Sequence, residues 1–365
     1  MKKFDFCCGN PAYNSDFSES GLNGNFASPV YDKFLDAAYE VADVVEMIHP
    51  ARFLYNAGST PKAWNQKMLS DPHFKVLFYE QNSSAVFPGT DIKGGVAISY
   101  RNKNENYGAI KTFTPFAEVH HIMKKVCSYN DFSSLSDVME NQTKFNLENL
   151  FNEHPEYKSI IGSDGKDKRF RNNIFDKIPA FTEDKVNAND IKVIGVVSNK
   201  RTYRYIPERY VDKTSVNLRK WKVLVVRVNG TGALGEVLSK PLISAKNEGY
   251  TQTFIGIGAF NNKEEAENCL KYVKSKFSRT LLSVLKITQD NSIETWKCIP
   301  LQDFTSDSDI DWSKSISEID QQLYKKYGLT QEEIDFVESH VKEMEQHDQS
   351  RCFPCRTYFP SDHAQ

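Results

Sequence analysis

The sequence lacks long hydrophobic runs: none approaches the 18 to 20 consecutive apolar residues that a transmembrane helix needs. Two lysines stand near the start, but the apolar stretch behind them is too short for a secretory signal and ends in Gly9-Asn10-Pro11. The seven cysteines have no regular spacing, which argues against a disulfide framework. We therefore expect a cytoplasmic protein in a reducing compartment.

Metal-binding patterns are also scarce. His120 and His121 are adjacent, so on a helix their side chains point about 100° apart and do not easily share one metal ion. Cys352-Phe353-Pro354-Cys355 is a single CxxC without a second pair, which argues against a zinc site. The Pro-Asp…Glu-x-Lys cluster of metal-dependent nucleases is missing too. We therefore predict no metal site, and the sequence gives only weak support to the hypothesis of a restriction nuclease.

Charge is abundant but unevenly distributed along a chain whose formal net charge is only −2. Residues 155–240 contain 18 basic and 10 acidic residues, a local net charge of +8, and three clusters there interleave basic and aromatic side chains. Basic side chains neutralise phosphates and aromatic ones stack on bases, so this region predicts a face that binds double-stranded DNA. The alternative is a solvated positive surface. The predicted DNA-binding residues are Lys168, Arg169, Arg171, Lys200, Arg201, Arg204, Arg219 and Lys220.

The first 102 residues alternate between strand-like and helix-like patterns. Phe4 to Cys8 is a short apolar run typical of a strand buried on both faces, and Gly9 and Pro11 end it. Alternation of this kind predicts an α/β sheet, and the short last connection predicts an antiparallel pair. The predicted strands are 4–8, 44–48, 74–79 and 94–100, and the predicted helices are 30–42 and 61–69.

Later parts of the chain have a different character. Helical patterns occur at 116–126, 135–150 and 264–286, and strand-like runs at 191–197, 222–228 and 254–257. Gly328 predicts the end of a helix, and Thr330-Gln331-Glu332-Glu333 predicts a capping box that starts the last one. Residues 346–365 are expected to be disordered.

Asn10 is the most informative single residue, because it follows a strand at the end where open α/β sheets bind ligands. An Asn amide and the next backbone carbonyl both offer acceptor oxygens to an exocyclic amine. Tyr13 offers a flat face on which a planar base can stack. The alternative is an ordinary strand-to-loop turn that happens to carry Asn, Pro and Tyr.

Asn10-Pro11-Ala12-Tyr13 resembles motif IV of the amino-methyltransferases, the Asn-Pro-Pro-Tyr signature of DNA adenine-N6 methylation. Ala12 departs from it in the slot that varies most between subfamilies. Residues 84–89 stand where the γ-class adenine enzymes place motif VIII, an aromatic residue that packs on the flipped base. Residues 296–304 and 309–334 resemble the end of the target-recognition domain and the C-terminus of type II restriction-modification adenine methyltransferases. The likeness covers almost the whole chain, but only the downstream part of that family.

The resemblance implies an α/β fold: the second half of a Rossmann-like methyltransferase sheet, then a mixed α+β target-recognition domain and C-terminal helices. Asn10 and the Pro11 carbonyl would hold the target amine, while Tyr13 and Phe87 sandwich the flipped base; the alternative for Phe87 is an ordinary core residue. The implied function is adenine-N6 methylation in a restriction-modification system, and the alternative is an inactive DNA-specificity module. The implied segments are a catalytic part (1–102), a helical connector (103–154), a recognition domain (155–304), C-terminal helices (305–345) and the tail (346–365).

The cofactor of such enzymes is S-adenosylmethionine, bound on a Gly-rich first strand-loop. Only three residues precede Phe4, so the resemblance implies that this site is largely absent. Residues 254–260 have a Phe-x-Gly-x-Gly pattern, but no strand ending in Asp or Glu follows at the usual distance, and the resemblance places them in the recognition domain. We therefore expect a truncated or split chain. Its expected partner is an N-terminal methyltransferase half or a restriction-modification subunit that covers an exposed sheet edge.

Overall fold

The computed structural model describes residues 4–15, 28–161 and 168–344. Within these ranges no helix combines the length and apolar character needed to span a membrane. The chain divides into two compact units, unit 1 (residues 1–121) and unit 2 (residues 122–365). The predicted disordered tail and the single CxxC lie outside the described residues.

Unit 1 is built on a four-stranded sheet with the order β1-β2-β4-β3. β1 and β2 are parallel, whereas β4 is antiparallel to both β2 and β3. The predicted alternation of strands and helices and the antiparallel last pair are therefore confirmed. The elements are β1 (Phe4–Gly9), α1 (Tyr31–Val41), β2 (Ala42–Pro50), a 3-10 helix (Arg52–Tyr55), α2 (Lys62–Ser70), β3 (Phe74–Glu80), α3 (Ser83–Val86) and β4 (Val96–Asn102).

The two faces of this sheet differ. One face packs on α1 and α2 around fully or nearly fully buried side chains such as Leu35, Val45 and Phe74. The other presents Phe4, Phe6 and Phe78, which are 57%, 50% and 43% exposed. The prediction that the first strand is buried on both faces is thus wrong. β1 lies at the edge of the sheet, pairs with β2 alone among the described strands, and has only Cys7 packed against the core.

Unit 2 contains two sheets, β10-β6-β7 and β5-β11-β8-β9. Buried side chains of the two sheets meet in a small cluster of Ile194, Leu224, Tyr250 and Phe254. Helix α4 (Ala117–Cys127) crosses the division between the units. The other elements are β5 (Met139–Glu140), α5 (Leu147–Glu153), α6 (Ile174–Lys177), β6 (Ile191–Val197), β7 (Lys200–Ile206), β8 (Trp221–Val226), β9 (Leu242–Ser244), β10 (Glu248–Tyr250), β11 (Phe254–Phe260), α7 (Lys263–Lys274), α8 (Lys276–Leu285), α9 (Ile316–Lys326) and α10 (Gln331–His340).

Two predicted helices of unit 2 need correction. Residues 135–150 form a 3-10 turn, a two-residue strand and the start of α5, because the caps Ser134 and Asn146 begin separate helical segments. Residues 264–286 are two helices, since the Ser275 hydroxyl accepts the Ser278 N–H and starts α8 anew. The C-terminal signals are confirmed: Gly328 has φ +61°, and Thr330 forms a reciprocal capping box with Glu333.

Candidate functional site

Three strands of unit 1 bring their carboxyl ends to one edge of the sheet. β1, β2 and β3 run in the same direction, so the residues that follow them gather there together with the start of β4. Asn10 follows β1, Arg52 follows β2, and Phe87 lies in the connection between β3 and β4. Because β1 and β3 are the outer strands of the four, their ends are roughly 14 Å apart. The topology thus brings Asn10 and Phe87 to the same edge of the sheet, next to its two outer strands.

The Asn10 segment (residues 10–13) is fixed by backbone hydrogen bonds and partly exposed. Asn10 and Ala12 are exposed, and Pro11 and Tyr13 are half-buried. The Val30 N–H donates to the Tyr13 carbonyl (3.0 Å), and Asn14 forms an antiparallel bridge with Pro29, so the segment is fixed beside the start of α1. Burial raises the pKa of the Tyr13 hydroxyl, and the Asn10 side chain nearby partly opposes that rise. Asn10 and Tyr13 therefore share one local environment.

Phe87 sits at the end of the short helix α3. Its N–H donates to the Ser83 carbonyl (2.8 Å), its carbonyl accepts from Thr90 (3.2 Å), and Asn82 caps the start of the helix. The ring is half-buried and is not among the side chains that form the core of unit 1. This arrangement holds the backbone around an aromatic side chain on the far side of the edge from Asn10.

Further polar groups near this edge were not predicted from the sequence. Six buried side-chain polar atoms of the described residues have no hydrogen-bond partner, and four belong to unit 1: Tyr13 Oη, Asp32 Oδ1, Arg52 Nε and Trp64 Nε1. Tyr31 lies near Asp32, Arg52 and Trp64, and its ring is 6.2 Å from that of Trp64. Burial raises the pKa of the Tyr31 hydroxyl to about 12, a hydrogen bond with Thr60 and the charge of Arg52 oppose this rise, and the charge of Asp32 adds to it. The sequence signal that could have pointed to this polar group is a basic residue just beyond a strand, such as Arg52.

The predicted DNA-binding residues lie on three segments of unit 2. Lys168, Arg169 and Arg171 are exposed on a segment that bridges to Lys144, and Arg219 and Lys220 precede β8. Lys200, Arg201 and Arg204 lie on β7, one of the two edge strands of the sheet β10-β6-β7.

Several of these cations are already engaged within the chain. Arg204 pairs with Glu183 (2.7 Å), and Arg219 pairs with Glu208. Arg201 donates to the carbonyls of Ser239 (3.1 Å) and Lys240 (2.6 Å), which ties β7 to the segment before β9. Lys200, in contrast, is exposed at the tip of the β6–β7 hairpin, next to the left-handed turn residues Ser198 and Asn199.

The glycine-containing segment 254–260 does not fit a cofactor loop. It is strand β11, which pairs antiparallel with both β5 and β8. A Cβ atom on Gly256 would lie 2.5 Å from the Tyr250 hydroxyl and 2.8 Å from the Asn217 amide, so this glycine serves close packing in unit 2. Residues 254–260 therefore do not form a binding loop for S-adenosylmethionine.

The structure as a whole is a mixed α/β protein with several small sheets, and polar side chains collect at one sheet edge of unit 1. The family model of the Eco57I restriction-modification methylase matches residues 1–87. This range includes β1, the Asn10 segment and Phe87. No curated protein matches the sequence.

Solved structures of restriction-modification enzymes are similar to this chain at low sequence identity. One is the type IIL restriction-modification enzyme MmeI in complex with DNA, with 8% identity and a TM-score of 0.40 over 92% of this chain and 56% of the other. Another is the type IIG restriction endonuclease BpuSI, with 9% identity and a TM-score of 0.31 over 88% and 50%. The chain thus spans about half the length of these two proteins.

Proposed function

We propose that this chain holds the target base and recognises DNA in a restriction-modification methyltransferase that acts on adenine N6. The observation that carries the proposal is the exposed Asn10-Pro11-Ala12-Tyr13 segment at the carboxyl end of β1. This segment lies inside the range matched by the methylase family model.

The chemistry assigned to this site is positioning. The Asn10 Oδ1 and the Pro11 carbonyl accept hydrogen bonds from the exocyclic amine, which directs the nitrogen lone pair toward the methyl donor. Tyr13 and Phe87, from the two sides of the sheet edge, stack on the base once it has left the duplex. S-adenosylmethionine is the methyl source in this chemistry, and because segment 254–260 does not fit it, its binding is assigned to a separate methyltransferase half.

The exposed aromatic side chains of β1 support such a partner. Phe4 and Phe6 are 57% and 50% exposed on the face opposite α1 and α2, next to the half-buried Val44 of β2. Exposed apolar side chains of this kind mark an interaction surface. We assign it to the cofactor-binding half, because covering this face places that half next to β1 and its Asn10 segment.

Unit 2 is assigned to duplex DNA. Its three basic segments supply cations for phosphates. Tyr203 on β7 is 37% exposed; the Lys192 ammonium, which is paired with Glu248, lies 4.1 Å from the centre of its ring and covers one of its faces.

A second candidate function is a DNA-specificity module without methyl transfer. The misfit of segment 254–260 to the cofactor favours this alternative, since recognition of DNA by unit 2 does not depend on the donor. The two candidates differ in one respect: only the first requires the Asn10 amide.

The test is methyl incorporation from labelled S-adenosylmethionine into a duplex library, for the chain alone and with a cofactor-binding half. We expect methylation of adenine N6 only in the assembled enzyme. Asn10→Ala should abolish transfer and largely spare DNA binding, whereas Asn14→Ala, an exposed Asn four residues on, should retain transfer. Methylated cytosine would overturn the adenine assignment. Equal transfer by wild type and Asn10→Ala would overturn the role of Asn10, and no transfer by any assembly that binds DNA would favour the specificity module.

A further inference from the structure

We propose that Arg52 binds a phosphodiester oxyanion of the target nucleotide, at the same sheet edge where Asn10 holds the base. The inference rests on the proposed function, because it names the part of the DNA that this edge receives. It follows from where Arg52 lies, how its side chain is held, and which of its hydrogen-bonding groups lacks a partner.

The position of Arg52 follows from the register of the parallel pair. Gly9 is opposite Met47, so Asn10 stands one residue beyond the last pair and Arg52 five. Arg52 opens the 3-10 helix that follows β2, and this places it on the order of 10 Å farther out than Asn10 in the direction of the strands. That offset is comparable to the span between the base and the phosphate of one nucleotide. A base held at Asn10 therefore leaves its phosphate within reach of a long side chain at position 52.

Two glycines hold the aliphatic part of Arg52. Gly58 and Gly94 both have φ +85°. A Cβ atom on Gly94 would lie 2.5 Å from the Arg52 Cγ, and one on Gly58 would lie 3.3 Å from its Cβ. Any larger residue at position 94 would displace the arginine stem. The stem of Arg52 is thus confined close to these two backbones, which lowers the entropic cost of ordering the side chain on binding.

The hydrogen bonding of this guanidinium is incomplete. Its Nε is buried and has no partner, and Arg52 makes no ion pair with any carboxylate of the described residues. The buried Asp32 next to Tyr31 also keeps an orphaned oxygen, so the two groups do not satisfy each other here. A buried N–H without an acceptor is unfavourable, and a structural arginine is normally paired. An oxyanion with two acceptor oxygens matches the planar guanidinium fork.

The two partners have complementary chemistry. A guanidinium only donates hydrogen bonds, and a phosphodiester only accepts them. The α-carboxylate of S-adenosylmethionine has the same acceptor chemistry, so the experiment must separate the two sources.

The experiment measures binding to the full chain by ligand-observed NMR. The probes are the 5′-(methyl phosphate) diester of 2′-deoxyadenosine, 2′-deoxyadenosine itself, and S-adenosylmethionine. The variants are Arg52→Met and Arg52→Lys, with Lys103→Met as the matched control, because Lys103 is an exposed cation just beyond β4 at the opposite edge.

We expect Arg52→Met to weaken binding of the diester by about tenfold or more and to leave binding of the nucleoside unchanged. Arg52→Lys should fall between wild type and Arg52→Met, because it keeps the charge and loses the fork, and Lys103→Met should match wild type. If Arg52→Met fails to fold, Arg52→Lys decides the question. Diester binding equal to wild type in a folded Arg52 variant overturns the inference. Binding of S-adenosylmethionine that depends on Arg52, without such binding of the diester, overturns it in favour of the cofactor carboxylate.

Failure of this inference differs from failure of the proposed function. Full adenine methylation by an assembled enzyme carrying Arg52→Met would reject the phosphate role and keep the methyltransferase. Absence of methylation in every assembly would reject the methyltransferase, while the diester measurement on the chain alone would still decide the role of Arg52.

Discussion

β1 and β11 are strands of similar composition with opposite environments. β1 (Phe4–Gly9) reads Phe-Asp-Phe-Cys-Cys-Gly and is mostly exposed, whereas β11 (Phe254–Phe260) reads Phe-Ile-Gly-Ile-Gly-Ala-Phe and is mostly buried. The difference lies in their neighbours. β11 is flanked by β5 and β8, while β1 has β2 on one side only among the described strands. Both segments form strands, as their apolar composition predicts. The number of neighbouring strands determines which of the two is buried.

The same contrast distinguishes the sheets of the two units. In unit 2, strands with mostly buried side chains pack around residues such as Tyr250 and Phe254. In unit 1, the strand that precedes Asn10 is mostly exposed. An exposed edge strand is a liability unless another element pairs with it or covers it. We therefore connect the exposure of β1 to assembly with a cofactor-binding half.

The largest expected effect is a difference in stability between matched truncations in the two strands. Phe254→Ala should lower the free energy of unfolding by about 3–5 kcal/mol, because Phe254 is 1% exposed and its removal leaves a cavity. Phe6→Ala should change it by only about 0.5 kcal/mol, because this side chain is 50% exposed. Denaturant unfolding of both variants measures the difference. A loss at Phe6 as large as that at Phe254 would mean that β1 is covered in the protein as it exists in solution.

A second expectation concerns the opposite responses of the two units to acid. Burial lowers the pKa of His49 in unit 1 to about 4, so its stabilising effect is present above the unfolded value of 6.5 and is lost as pH falls toward 4. Burial raises the pKa of Asp320 in unit 2 to about 6, against hydrogen bonds from Lys276 and Phe277 that lower it. Its effect has the opposite sign: stability decreases as pH rises from 3.8 toward 6.

Hydrogen exchange between pH 6.5 and 4.5, corrected for intrinsic rates, measures this divergence. Protection around β2 in unit 1 should decrease as pH falls. Protection around α8 and α9 in unit 2 should increase over the same range, because Asp320 becomes protonated there. His49→Gln and Asp320→Asn remove one titration each and should flatten the response of the corresponding unit. Parallel pH profiles in the two units of wild type would contradict the assignment.

The smallest expected effect is in DNA affinity. Lys200→Gln should make the dependence of log affinity on log salt shallower by about 1, because Lys200 is exposed at the hairpin tip and suited to one phosphate. Lys314→Gln, which removes an exposed lysine near Asp311, should leave the slope unchanged. Fluorescence anisotropy with a labelled duplex measures both. Affinity that stays flat between low and moderate salt in wild type would remove the basis for assigning DNA to unit 2.

Local sequence signals determined much of the secondary structure. Alternating patterns gave β2, β3, β4, α1 and α2, the run 191–197 matched β6, and the capping box at Thr330 defined α10. These signals succeed because propensity, capping and turn chemistry act between residues close in sequence. They failed at 135–150 and at Ser275, where a single polar cap interrupted an otherwise helical pattern.

Only the tertiary structure decided burial and the composition of the site. The sequence by itself placed Asn10 at a strand end, and its place at the same edge as Phe87 required the order and direction of four strands. Arg52 became a candidate because Gly58 and Gly94, far apart in sequence, both lie close to its stem, and because its buried Nε has no partner. Burial and unsatisfied hydrogen bonds depend on contacts between residues distant along the chain, and no local pattern encodes them.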